Sequence, residues 1–186
     1  MRWLAPVAII LLANCASVSR EECLAGDWEA IGARDGAAGR VSATQFERHV
    51  NACARVDITP DRTTWARGYE QGLLSYCTPL RGLSEGEAGR AYRDVCPLAS
   101  EAAFLRGHEL GLLAYRQRQR IAEIERDIAA LAARNRLLST EAGNGAAQRE
   151  WQSNQAEILS LRLDLGLARA ELLRIEREIR AFRANI

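Results

Sequence analysis

The sequence predicts a mostly α-helical protein, in which a small disulfide-stapled helical domain is followed by an antiparallel coiled-coil helical hairpin. Residues 23–100 contain four cysteines and three of the four prolines, whereas residues 101–186 contain neither residue type. The second region is rich in Ala, Leu, Ile, Arg and Glu, and its apolar residues recur at heptad spacing. A helical motif with two glycines also occurs twice, 39 positions apart.

The N-terminus has the features of a secretion signal. Arg2 supplies a positive charge, and residues 5–13 form an apolar run. The run is shorter than the roughly 20 residues that span a bilayer, and its lack of an amphipathic pattern disfavours the alternative of a buried N-terminal helix. We therefore predict that residues 1–14 are a signal peptide.

Residues 12–15 (LANC) resemble the cleavage site of bacterial lipoproteins, at which the cysteine becomes the acylated first residue. They depart from that pattern at Asn14, where Gly, Ala or Ser is usual. The resemblance predicts lipidation at Cys15, with residues 15–22 as the linker to the lipid anchor. By resemblance to enterobacterial sorting rules, Ala16 favours the outer membrane, with the protein facing the periplasm.

The chain has five cysteines, and an odd number in an exported protein needs an explanation. If Cys15 carries lipid, four remain, which suits two disulfide bonds in an oxidising compartment. Three connectivities are possible. We prefer sequential pairing because it closes two modest loops, and each bridge would stabilise the domain by roughly 2–4 kcal/mol. The candidate pairs are Cys23–Cys53 and Cys77–Cys96. No C-x-x-C pair is present, so no metal site is predicted.

The charge is balanced, with 25 basic residues, all of them arginine, and 24 acidic residues. Loss of Arg2 with the signal peptide would leave a net charge of zero. This balance gives no electrostatic argument for a nucleic-acid partner or for adsorption to an anionic membrane. The predicted membrane association therefore depends on the lipid.

Two copies of one helical motif occupy residues 65–76 and 104–115, and a looser copy starts at Trp28. A second element also recurs, because residues 32–40 resemble residues 82–90. Each strict copy has two glycines four positions apart, which places both on one face of a helix. Glycine costs about 1 kcal/mol relative to alanine inside a helix, so these pairs predict close approach to a neighbouring backbone. The alternative is a ligand groove floored by glycine. The repeat glycines are Gly68, Gly72, Gly107 and Gly111.

The C-terminal region has two heptad runs, separated by a break that contains two glycines. The break predicts a turn near residues 141–147, and a short turn makes two helices antiparallel neighbours. The a and d positions of the seam are Ile121, Ile124, Ile128, Leu131, Asn135 and Leu138 in the first run, and Trp151, Asn154, Ile158, Leu161, Leu165, Ala168, Leu172, Ile175, Ile179 and Phe182 in the second. This periodicity predicts a coiled coil.

The register of this hairpin can be predicted from its polar seam residues. With the turn centred near residue 144, Asn135 faces Asn154. This coincidence favours an intramolecular hairpin over a parallel dimer, because a buried asparagine pair can fix the register. The far end of the second helix, near Ile179 and Phe182, is expected to reach back to the second copy of the glycine motif.

The sequence predicts no catalytic residue and no cofactor. His49 lies on a predicted helix before Cys53. His108 takes the place of Tyr69 in the other copy of the motif, which indicates packing or a surface position rather than catalysis. The aspartates of the cysteine region are expected to be solvated or to cap helices. They are Asp27, Asp35, Asp57 and Asp61.

The cysteine region also carries a set of family motifs. The most specific are Tyr76-Cys77-Thr78-Pro79 and Cys96-Pro97, and the others include the acylable Cys15, Cys23, Asp27-Trp28, Ile31-Gly32, Asp35-Gly36, Ala52-Cys53, Pro60-Asp61 and Gly72-Leu73. With these motifs, residues 15–116 resemble a bacterial lipoprotein family catalogued as domain of unknown function 2799. The resemblance implies a periplasm-facing, cysteine-bearing lipoprotein. It implies no activity, substrate or catalytic residue.

Three functions from different classes are compatible with these predictions. The first is a lipid-anchored structural or interaction protein of the cell envelope, whose hairpin offers a rigid surface to an envelope protein partner. The second is a periplasmic glycan- or small-molecule-binding module, or a wall-acting enzyme, that uses the region around Trp28, Trp65 and Asp35. The third is a lysozyme-inhibitor-like role. Exposed apolar residues off the seam would support the first function, and the candidates are Leu137, Leu159, Leu163, Leu167 and Leu173.

Overall fold

The computed structural model describes residues 17–140 and 144–186. In these residues the chain forms seven α-helices and one short 3-10 helix, without a strand, so the predicted helical fold class is confirmed. The predicted signal peptide and the lipidation site Cys15 lie outside the described residues. Among the helices that are described, none has the length and apolar character needed to cross a bilayer. The chain divides into two compact units, the first ending at Leu73 and the second beginning at Leu74.

The first unit is built from short helices, three of which begin at side-chain caps. Ser19 and Glu22 form a reciprocal capping box, and Asp27 accepts a hydrogen bond from the backbone N–H of Ala30. Asp61 accepts from the backbone N–H groups of Thr63 and Thr64. The helices are α1 (Arg20–Ala25), α2 (Trp28–Ala37), α3 (Ser42–Cys53), a 3-10 helix (Ala54–Val56) and α4 (Arg62–Tyr76).

Backbone contact between α2 and α4 organises the first unit. A Cβ atom added at Gly32 or Gly36 would overlap a backbone carbonyl of α4, and one at Gly68 or Gly72 would overlap a backbone carbonyl of α2. The two helices therefore cross at a distance that only glycine permits, as the motif predicted. The apolar core around this crossing includes Trp28, Ile31, Phe46, Trp65 and Leu73.

The second unit repeats this crossing. Its first helices are α5 (Pro79–Glu87) and α6 (Leu98–Leu138), and α5 begins with a hydrogen bond from the Arg81 N–H to the Thr78 side chain. A Cβ atom at Gly82, Gly86, Gly107 or Gly111 would overlap the backbone of the partner helix. The recurrence of residues 32–40 at residues 82–90 thus reflects equivalent helices, α2 and α5. The groove floored by glycine does not exist, because the facing backbone fills it.

One disulfide bond lies in each unit. Cys23 is joined to Cys53 and Cys77 to Cys96, with Cα–Cα distances of 5.6 and 5.5 Å. These are the sequential pairs expected from the sequence. The Tyr92 hydroxyl accepts a hydrogen bond from the Cys96 N–H at 2.9 Å and thereby braces the loop before α6.

The hairpin consists of α6 and α7 (Gly145–Ala184), which starts with Asn144 as its N-cap. Every seam residue predicted from the heptads is buried or half-buried. The Asn154 Nδ2 group donates a hydrogen bond to Asn135 Oδ1 at 2.8 Å, so the predicted antiparallel register is confirmed. The predicted turn near residues 141–147 falls between α6 and α7, and residues 141–143 lie outside the described part.

The compositional boundary near residue 100 does not coincide with the division between compact units. The helix α6 runs without interruption from Leu98 to Leu138, so one helix forms both the glycine crossing and the first arm of the hairpin. The end of α7 returns to this crossing as expected. Its residues Ile175 and Ile179 are buried with Leu83 and Ala114, and Leu110 and Phe182 pack against them.

Candidate functional site

The first unit contains a buried polar network centred on Asp35. This aspartate lies on α2 with 5% of its surface exposed, so the expectation that it is solvated or caps a helix is wrong. Its Oδ1 accepts a hydrogen bond from the Gln45 side chain at 3.1 Å, and its Oδ2 accepts from Trp65 Nε1 at 3.1 Å and from His49 Nε2 at 2.7 Å. Three donors from α3 and α4 therefore satisfy a carboxylate that burial would otherwise destabilise.

His49 connects this network to the start of the described chain. Its side chain is fully buried, and its Nδ1 lies 2.9 Å from the hydroxyl of Ser17. Because the carboxylate of Asp35 accepts, Nε2 donates to it, and Nδ1 makes the second hydrogen bond of the ring, to Ser17. Although Ser, His and Asp are the residue types of a hydrolase triad, the buried ring supports a different role. The network holds Ser17, two positions after Cys15, against the domain.

A polar cleft of about 980 Å³ lies beside this network. Ser17, Asp35 and Gln45 contribute to its wall, and so does the exposed Asn51. Four exposed arginines surround it, and we call it the arginine cleft. They are Arg34, Arg40, Arg48 and Arg55.

The equivalent position in the second unit is an ion-paired glutamate. Glu85 is 7% exposed and pairs with Arg81 at 3.0 Å and Arg90 at 2.5 Å. Burial raises the pKa of Glu85, but the hydrogen bond from Arg90 and the charges of both arginines outweigh burial, so the pKa is lowered overall. The acidic residue of the repeat thus forms ion pairs with arginines in one unit and accepts hydrogen bonds from Gln45, His49 and Trp65 in the other.

The aromatic variation in the repeat also has a structural explanation. The Tyr69 hydroxyl donates to the backbone carbonyl of Arg40 at 2.5 Å, and His108 Nε2 lies 2.7 Å from the equivalent carbonyl of Arg90. The two side chains make the same hydrogen bond in the two units. This agrees with the interpretation of His108 as a packing residue.

The tryptophans proposed for ligand binding are core residues. Trp28 is 6% and Trp65 is 3% exposed, and neither borders the arginine cleft. Trp65 stacks on Tyr69 and packs against Phe46, with ring centroids 5.0 and 5.2 Å apart. In the described residues, no group of three or more histidine, cysteine or acidic side chains is placed to hold a metal ion.

A second candidate site is an exposed apolar face on α7. Leu159, Leu163, Leu167 and Leu173 are between 57% and 73% exposed. They are spaced by four, four and six positions, so they share a face of the helix that is separate from the buried seam. Exposed small residues lie between them. We call this the leucine face, and it comprises Ala156, Leu159, Leu163, Gly166, Leu167, Ala170 and Leu173.

Comparison with known proteins identifies the folded domain. Residues 27–113 match the model of the family described as Protein of unknown function (DUF2799). The matched segment carries that domain. It runs from α2 into α6, so it includes both glycine crossings and stops before most of the hairpin. The chain has no match among curated proteins or among solved structures.

The Asp35 network was missed because its contacts join separate elements. A signal was nevertheless present in the repeat. An acidic residue precedes the second glycine in both copies, as Asp35 and Glu85, and an arginine follows five positions later, as Arg40 and Arg90. An acidic residue beside the glycines of a close helix crossing is partly covered by the neighbouring helix. Its recurrence in both copies therefore indicates a buried carboxylate with its own hydrogen-bond or ion-pair partners.

Proposed function

We propose that this protein is a lipid-anchored structural or interaction protein of the bacterial cell envelope, facing the periplasm from the outer membrane, whose hairpin binds a partner protein. The leucine face carries this proposal. Apolar residues at the seam of α7 are buried or half-buried, whereas four leucines on its other side are more than half exposed. Contiguous apolar surface of this kind marks interaction sites.

The chemistry of the leucine face favours an amphipathic helix as the partner. None of its seven residues is charged, and Gly166 has open space around the position of a Cβ atom. A second helix could therefore approach closely beside Gly166 and bury the flanking leucines. Each leucine that becomes fully buried would contribute roughly 1.5–3 kcal/mol before the cost of association. Leu137 on α6 is also 62% exposed, but it lies opposite the seam of α6 and is not part of the leucine face.

The anchor at Cys15 is supported by the residues around it. The sequence at residues 12–15 resembles a lipoprotein cleavage site, and the four other cysteines form two disulfides, which suits an oxidising compartment. The hydrogen bond between Ser17 and His49 would hold the domain close to an acylated Cys15. A lipid at this position would therefore orient the domain on the membrane surface.

The arginine cleft favours a second candidate, a periplasmic binding module. A polar cleft of about 980 Å³ is at the upper end of the range for ligand sites. Trp28 and Trp65 are buried, which disfavours the stacking of a sugar on either ring. A wall-acting enzyme would need a reactive group in the cleft, and the described geometry offers Asp35 and His49 only as a saturated, buried pair.

The test is crosslinking and affinity purification of the intact protein from its native envelope. The test variant is Leu163→Gln with Leu167→Gln, because both side chains are more than 70% exposed and their replacement should leave the fold intact. The control variant is Leu74→Gln with Leu98→Gln, which removes two leucines elsewhere that are 67% and 89% exposed. Truncation of the hairpin would be less informative, because Ile175 and Ile179 help to bury Leu83.

We expect one partner that is recovered with the parent protein and the control and lost with the test variant. Recovery of the same partner with all three proteins, or of none with any, would refute the role of the leucine face. In parallel, mass spectrometry should find an acyl group on Cys15, and Cys15→Ser should release the protein from the membrane fraction. An unmodified Cys15 would refute the anchor.

A further inference from the structure

We propose that the arginine cleft binds the phosphate of an anionic phospholipid headgroup in the membrane that carries the anchor. This inference rests on the proposed lipid at Cys15, because that lipid would bring the cleft to the membrane surface. It adds a binding site that lies outside the hairpin and does not depend on the leucine face.

The cleft has an excess of positive charge. Among its four arginines, Arg34 has an ion pair, to Glu22 at 2.6 Å. The Arg55 Nε group donates to the backbone carbonyl of Ala52 at 3.1 Å. Within the described residues, Arg40, Arg48 and Arg55 have no carboxylate partner within 4.0 Å. Three guanidinium groups thus remain available to an external anion.

The one carboxylate that borders the cleft, Asp35, forms no ion pair with these arginines. Both oxygens of Asp35 are engaged, by Gln45 on one side and by His49 and Trp65 on the other. Asp35 contributes at most one negative charge, and three unpaired arginines outnumber it, so an anion in the cleft would still meet an excess of positive charge. The cleft also offers neutral hydrogen-bonding groups at Asn51 and Ser17, which suit the hydroxyl groups of a headgroup.

Arginine is the appropriate residue for this ligand. Its planar guanidinium can donate two parallel hydrogen bonds to a phosphate, and it is less strongly hydrated than lysine. The net charge of the whole chain does not reveal the local positive charge of the cleft, because acidic residues elsewhere offset its arginines. The balanced net charge of the chain gives no reason to expect adsorption to an anionic membrane. The local charge of the arginine cleft does give one.

The position of the cleft selects a lipid as the source of the phosphate. Ser17 borders the cleft and is held there by His49. It is two positions after Cys15, and two steps of the chain span at most about 7 Å. An acylated Cys15 would thus place its fatty chains, and the headgroups around them, beside Arg48 and Arg55. A free phosphate in the periplasm has no such proximity.

The experiment measures co-sedimentation of the full chain carrying Cys15→Ser with two kinds of vesicle. One is phosphatidylcholine alone, and the other contains equal parts of phosphatidylcholine and phosphatidylglycerol. The substitution removes acylation, and the phosphatidylcholine vesicles measure any contribution from the apolar N-terminus. The test variant adds Arg40→Gln, Arg48→Gln and Arg55→Gln. The matched control instead adds three exposed substitutions on α6, Arg116→Gln, Arg120→Gln and Arg126→Gln.

We expect tighter binding to the phosphatidylglycerol vesicles, weakened by added salt. The test variant should lose on the order of a hundredfold in affinity, while the control should lose far less. Circular dichroism would check that both variants keep the helical content of the parent. Equal losses in both variants, or no preference for phosphatidylglycerol, would overturn the proposal.

Inorganic phosphate distinguishes the source of the ligand. If phosphate binds the cleft in solution and phosphatidylglycerol vesicles give no preference, the ligand is a free anion and the lipid proposal is wrong. The vesicle result is independent of whether the native Cys15 is acylated. If native Cys15 is unmodified and binding to phosphatidylglycerol still depends on the cleft, the proposed anchor is refuted and the proposed headgroup site is supported.

Discussion

Glu85 gives the stability of the second unit a dependence on pH. Its lowered pKa means that the folded state favours the ionised carboxylate. The contribution to stability is therefore fully present above the ordinary carboxyl pKa of about 4.3 and is lost as the pH falls through the lowered folded value. Glu85→Gln should reduce the free energy of unfolding by about 2 kcal/mol at neutral pH, and the difference from the parent should shrink towards pH 3.

Chemical denaturation at several pH values measures this difference. Glu150→Gln is the control, because Glu150 also pairs with an arginine, Arg134, but is exposed to solvent. Solvent screens such a pair, so its removal should have little effect at any pH. A difference between Glu85→Gln and the parent that stays constant on acidification would contradict the role of the Glu85 carboxylate.

Local residue roles could be predicted from the sequence, and long-range ones could not. Asp27 and Asp61 were expected to cap helices, and both do, because capping depends only on the next three residues. Asp35 has partners 10, 14 and 30 positions away. No local pattern specifies such partners. The same holds for Ser17 and His49, which are 32 positions apart.

The glycine crossings can be tested by adding a methyl group. Gly68→Ala would place a Cβ atom on the carbonyl oxygen of Glu29, so α2 and α4 would have to separate. We expect a loss of about 3 kcal/mol or more in the free energy of unfolding. Gly166→Ala is the control, since no atom lies within 4 Å of its Cβ position, and it should stabilise the helix by about 0.5–1 kcal/mol. Urea unfolding followed by circular dichroism measures both, and effects of the same sign would contradict this account.

The asparagine pair of the hairpin should show strong energetic coupling. Asn154 donates its hydrogen bond to Asn135, whose own Nδ2 is buried without a partner in the described part of the chain. Asn154→Leu alone would leave all of the Asn135 amide unpaired and should cost about 2 kcal/mol. The double variant with Asn135→Leu should be at least as stable as the parent, because an apolar seam replaces a polar one.

A double-mutant cycle by thermal unfolding measures this coupling. The two single variants, the double variant and the parent are compared under one set of conditions. Additive effects would show that the two asparagines do not depend on each other, and the hydrogen bond would then not determine the register.

The hairpin could be predicted at the level of elements because its contacts are periodic. Heptad spacing specifies the buried face of each helix, and a short break makes the two helices antiparallel. The division between compact units could not be predicted in this way. Composition changes near residue 100, but α6 continues through that point, and the repeat in α5 and α6 belongs with the hairpin. Amino-acid composition can indicate where a coiled coil begins, but it does not indicate which helices pack together in one compact unit.

At the scale of the whole molecule, each unit combines one glycine crossing with one disulfide bond. The glycines at each crossing contribute no side chain to the core, which limits the apolar area that a short helix pair can bury. The first unit shows this most clearly, because its described residues 17–73 include no long helix. Domains of about 60 residues are marginally stable on burial alone. The second unit has the additional apolar seam between α6 and α7.

The disulfide bonds should therefore matter more to the first unit than to the second. By the chain-entropy relation, loops closed over separations of 30 and 19 residues both contribute about 3–4 kcal/mol. Replacement of Cys23 and Cys53 by alanine should remove most hydrogen-exchange protection from residues 17–73. Replacement of Cys77 and Cys96 should lower protection near α5, while the hairpin seam stays protected because its apolar contacts remain. Mass spectrometry of peptic fragments measures both variants, and equal loss of protection in the two units would show that the seam does not stabilise the second one.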